Sequence, residues 1–133
     1  MKSLRPITIC LRLLAILQIL TAGIALMPMT WIAAWHAWVG LGHLPDHAFL
    51  RYVVRGGAFV QGAIGVLIWV IATDVVRYRP LVLTVGGIYL VSGPAFYFID
   101  STAGMPPFWG MMDGAACFLT GSILLALTPR NPS

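Results

Sequence analysis

Glutamate is absent from this sequence, and its whole acidic complement is four residues, Asp46, Asp74, Asp100 and Asp113. A soluble domain carries about 25% charged residues because water must wet its surface. Here 9% are charged, 59% are apolar and the mean hydropathy is +0.90. That scarcity excludes a water-facing surface over most of the chain and makes lipid its solvent. Cysteine is nearly missing as well: Cys10 and Cys117 stand alone, with no C-x-x-C. A disulfide framework and the common dithiol redox motif are thereby excluded, and both thiols are expected to be small buried hydrophobes. No G-x-S-x-G, Walker loop or dinucleotide fingerprint occurs. The eight Lys and Arg outnumber the acids, but they stand at the ends of apolar runs rather than on a soluble face. No nucleic-acid partner is expected.

What is present is four long apolar runs. A helix hides its own backbone polar groups from lipid and needs about 20 residues to cross the hydrocarbon. Runs at 6–27, 48–73, 81–100 and 107–128 meet that length. They predict an all-α, single-domain, four-helix integral membrane bundle. MKSLRP at the start resembles the basic region of a secretion signal, but Arg12 interrupts the run and no convincing cleavage site follows, so an uncleaved first span is expected.

Charge gives the direction. Lys2, Arg5, Arg12, Arg77, Arg79 and Arg130 all fall on one side of the four runs, and the positive-inside rule then puts both termini in the cytoplasm. The short turn TDVVRYRP makes the second and third spans antiparallel neighbours. Within it, Asp74 is placed to pair with Arg77 or Arg79, and Pro80 opens the third span at a tolerated position. The outer connection MTWIAAWHAWVGLGHLPD carries Trp31, Trp35 and Trp38. Tryptophan favours the headgroup level, so this segment is expected along the outer interface, partly as a short helix. FVQGAI at 59–64 also echoes FLTGSI at 118–123, a faint sign of two similar hairpins.

Helical periodicity sorts the faces. Arg51, Arg55, Ala58, Gly62, Gly65 and Trp69 share one face of the second span. Gly86, Tyr89, Gly93, Tyr97 and Asp100 share a stripe of the third, and Gly110, Asp113, Ala116, Cys117 and Thr120 one of the fourth. Gln18, Ala22 and Ala25 mark the first. Small residues let helices approach, so these faces are expected to point inward. Pro94 is expected to kink the third span.

Arg55 and Asp113 both lie about 10 Å from the outer ends of their spans, at ~1.5 Å per residue. Charges in hydrocarbon are paired or face water, so an Arg55–Asp113 ion pair is expected. With Arg51, Asp100, Tyr97 and His47 the two outline a polar pocket at the outer end, the candidate binding site for an amphiphile or small anion. GHLPDH, with His36 upstream, offers imidazole and carboxylate donors. Pro45 and Asp46 also read as an ordinary helix start, and no metal site is expected. Asp100 is the freer acid if there is proton chemistry.

The four spans, the long first loop ending in LGHLPD, the turn DVVRYRPL and the outer GMPPFW resemble small bacterial DoxX-like membrane proteins. The resemblance implies a four-helix fold in the bacterial inner membrane and brings no catalytic residues or cofactor with it. The expected function is a small binding or accessory protein in the lipid bilayer. The alternatives are an intramembrane enzyme acting on a lipid-soluble substrate, or a structural subunit with a membrane-protein partner or a second copy of itself.

Overall fold

The computed structural model describes residues 4–129, so Lys2 and Arg130 of the inner-side charge set lie outside the described residues. The chain is all-α. Helix α1 (Arg5–Thr21) tightens into a 3-10 stretch (Ala22–Leu26) and is followed by α2 (Met29–Trp38), α3 (Ala48–Ile71), α4 (Arg79–Thr102) and α5 (Pro107–Leu127). Among the described residues four helices are long and apolar enough to cross a membrane: Arg5–Leu26, Ala48–Ile71, Arg79–Thr102 and Pro107–Leu127. Each lies within a few residues of a run read from hydropathy, and the chain is an integral membrane protein. The tryptophan-bearing segment between the first two spans forms the expected short helix as α2, with Trp31, Trp35 and Trp38 all exposed.

Two compact units divide the chain, Arg12–Val70 and a second made of Met1–Leu11 with Ile71–Ser133. In the first, α1 and α3 run antiparallel in backbone contact. A β-carbon on Gly65 would stand 2.7 Å from the Ile19 amide nitrogen and 2.8 Å from the Ala15 carbonyl oxygen, and one on Gly62 would strike the Ala22 side chain. Ala58 and Ile68 are buried on the same α3 face. Trp69, expected to point inward on this face, is instead exposed and lies beneath the Arg12 guanidinium, 5.7 Å from ring centroid to Cζ.

The second unit pairs α4 with α5, again antiparallel. Gly86 meets Leu124 and Leu125, Gly93 meets Gly114 and Phe118, and Gly110 meets Tyr97 and Asp100. On α4 this is the stripe expected from periodicity. On α5 the contact face is turned from the expected one: Gly110, Gly114, Gly121 and Leu124 are buried, whereas Ala116 is exposed. The glycines decide the face because only they let the backbones touch, and the polar Asp113 and Thr120 are left at its half-buried edge. Helix α4 continues through Pro94. The turn between α3 and α4 is fastened locally and at long range: the Asp74 carboxylate accepts from the Arg77 amide (3.0 Å), and Arg79 Nε donates to the Pro129 carbonyl near the other end of the chain (2.6 Å). Both cysteines are free, and both are partly exposed rather than buried.

Several hydroxyl groups satisfy themselves on nearby backbone carbonyls, as suits a lipid solvent. Thr8, Thr84, Ser101, Ser122 and Thr128 each donate to the carbonyl four residues back.

Candidate functional site

The end of the α4–α5 hairpin is built by a helix stop. After Thr102 the chain turns at Gly104, whose φ of +74° favours glycine. The Met105 amide donates to the Asp100 carbonyl (3.0 Å) and the Gly104 amide to that of Ser101 (3.4 Å). This paired closure caps the last free carbonyls of α4 and aims the chain back into α5, where Pro107 occupies the first turn. A pocket of about 240 Å³ results, lined by Tyr97, Asp100, Ser101, Met105, Gly110 and their neighbours.

Asp100 is its singular feature. Its Oδ2 is sealed from solvent and has no hydrogen-bond partner. Gly110 makes the space for it, since a β-carbon there would stand 3.2 Å from Asp100 Cβ and 3.7 Å from Oδ2. The Ser101 hydroxyl is spent on the Tyr97 carbonyl at 2.6 Å. Buried polar atoms are nearly always paired, because an orphan costs roughly 1–3 kcal/mol and more when charged. The wall of the pocket thus holds an unsatisfied acceptor, which a donor reaches by a small shift of the Asp100 side chain.

The remaining candidate residues have contacts within their own units. His47 caps α3: its Nδ1 accepts from the Leu50 amide at 3.3 Å, and its carbonyl accepts from the Arg51 amide. The helix starts at Ala48, after Pro45 and Asp46 rather than at them, and has no acid in its first turn; His47 is the capping side chain. Arg51 Nε donates to Asp46 Oδ1 at 2.7 Å, an ion pair exposed on both sides. Arg55 is exposed and its Nη2 donates to the Met27 carbonyl at 3.4 Å, inside its own unit. Asp113 belongs to the other unit, half-buried on α5 one turn beyond Gly110 and outside the pocket lining. Of the residues read from sequence, Tyr97 and Asp100 are thus brought together. Met105, Pro107 and the orphaning role of Gly110 were missed, although GMPP following an acidic helix end was the signal available.

The histidine-rich loop has its own structural work. His36 Nδ1 donates to the Gly42 carbonyl (3.0 Å), tying α2 to the loop that follows it. Among the described residues no three His, Cys, Asp or Glu side chains come together to hold a metal. No protein-family model, curated protein or solved structure matches the chain.

Proposed function

We propose that this is a small membrane-embedded binding or accessory protein whose pocket at the α4–α5 turn takes an amphiphile through a hydrogen-bond-donating or cationic head. The observation that carries the reading is the orphan Oδ2 of Asp100. A buried acceptor gains most from a donor, and an ammonium or hydroxyl head meets that need. The same acceptor disfavours an anion, so the anion half of the sequence-based expectation does not attach to this pocket. The bilayer supplies the apolar surroundings for the rest of such a molecule. DoxX-like membership, an inner-membrane location and cytoplasmic termini belong to the same proposal, supported by the layout of spans and the distribution of arginines.

Native mass spectrometry of the protein released from nanodiscs tests it. One small molecule should stay bound to the wild type and to Asp46→Asn, and be lost from Asp100→Asn and Asp100→Ala. An adduct indifferent to Asp100, or none beyond bulk phospholipid, would remove the basis for the reading. An unpaired buried carboxyl also suits proton transfer, which favours an intramembrane enzyme as the second reading. Turnover of a lipid or quinone that stops in Asp100→Asn would select it over simple binding.

A further inference from the structure

A second cavity lies in the Arg12–Val70 unit, and its chemistry differs from that of the Asp100 pocket. Ile24, Met27, Ile32 and Trp35 line an open apolar groove of about 290 Å³. This is near the lower limit of ligand pockets, about 300 Å³, and has room for part of one acyl chain. The cavity exists because the 3-10 stretch ends at Met27, whose extended backbone (φ −70°, ψ 146°) redirects the chain into α2. The same residue meets a cation: Arg55 Nη2 donates to the Met27 carbonyl at 3.4 Å. That bond is long, and it engages one of the five guanidinium donors. One turn earlier on α3, Arg51 is already neutralised by Asp46.

Depth supplies the third part of the argument. Trp35 lines the cavity and packs edge-on against Trp38, with ring centroids 5.5 Å apart. Tryptophans concentrate at the headgroup level of a bilayer, the level at which lipid phosphates lie. An apolar slot whose Met27 carbonyl accepts from an exposed guanidinium, at that depth, matches a molecule with an acyl tail and an anionic head.

We infer that the slot formed by Ile24, Met27, Ile32 and Trp35, with Arg55 at its mouth, binds an anionic phospholipid of the surrounding membrane. The acyl chain fills the slot and the phosphate rests on the Arg55 guanidinium. Asp46 leaves Arg51 little part in this site.

The test uses the full chain in nanodiscs of mixed phosphatidylglycerol and phosphatidylcholine, with native mass spectrometry reading the lipid retained. A preference for phosphatidylglycerol of about fivefold is expected, the worth of one base near an anionic surface. Arg55→Lys should keep the preference, Arg55→Gln should abolish it, and Arg51→Gln and Asp100→Asn should leave it unchanged. The Lys variant separates loss of charge from loss of fold. A preference that survives in Arg55→Gln, or falls equally in Arg51→Gln, overturns the inference. So does soluble glycerol phosphate competing as well as the whole lipid, since it would show an anion site that makes no use of the slot. None of these outcomes bears on the Asp100 pocket, whose ligand is read by a different mass.

Discussion

Gly121 of α5 lies so close to Leu90 of α4 that a β-carbon on it would fall upon the Leu90 amide nitrogen, with the Gly86 carbonyl oxygen 2.7 Å away. Both obstacles are backbone, which no rotamer change can move. Gly121→Ala is therefore expected to force the helices apart and cost about 1–3 kcal/mol or more. Gly87→Ala meets nothing within 4 Å and should be neutral or gain up to about 1 kcal/mol from helix propensity. Equal effects of the two in a detergent unfolding titration would contradict this packing.

The turn at Gly104 makes a separate prediction. Its φ of +74° is left-handed backbone, which costs an alanine about 1–2 kcal/mol and an asparagine less. Gly104→Ala should lower the thermal midpoint more than Gly104→Asn. Because the turn also shapes the pocket, retention of the Asp100-dependent ligand should fall in the same order.

His47 is expected to act as a cap rather than as a ligand. His47→Ala should cost about 0.5–1 kcal/mol, and His47→Asn, a better capping residue, should restore or exceed wild-type stability. Ligand retention that drops in His47→Asn while stability holds would return this histidine to the binding site.

The Asp46–Arg51 pair should matter little. Both side chains are at least half exposed, and ion pairs of that kind contribute about 0–1 kcal/mol. A double-mutant cycle with Asp46→Asn and Arg51→Gln that returned a coupling well above this range would mean the pair is more enclosed than its geometry shows.

Hydropathy made the four spans legible, since a membrane-crossing helix is written as an uninterrupted apolar run. The α4 stripe was legible for the same periodic reason, and the glycine aligned between FVQGAI and FLTGSI sits at the tight contact of both hairpins, as Gly62 and Gly121. Periodicity fixes only angles around one helix, however. It could not tell that the glycines, rather than Asp113, would set the buried face of α5. Nor could it show that Arg55 has a backbone carbonyl within reach, because Met27 becomes an available acceptor only where the 3-10 stretch ends. The orphaned oxygen of Asp100 depends on Gly110 and the turn together, and two elements meeting in space leave no trace in either one's spacing.

The closeness of α4 and α5 also bears on how the protein enters a membrane. A lone helix carrying Asp100 must present that carboxylate to lipid, at a cost of a few kcal/mol near the bilayer centre and less toward the interface. Paired with α5 across a short turn, it turns the same group toward Gly110 instead. The hairpin is therefore a natural unit of insertion, and biosynthesis that delivers both arms together spares the chain its most exposed intermediate.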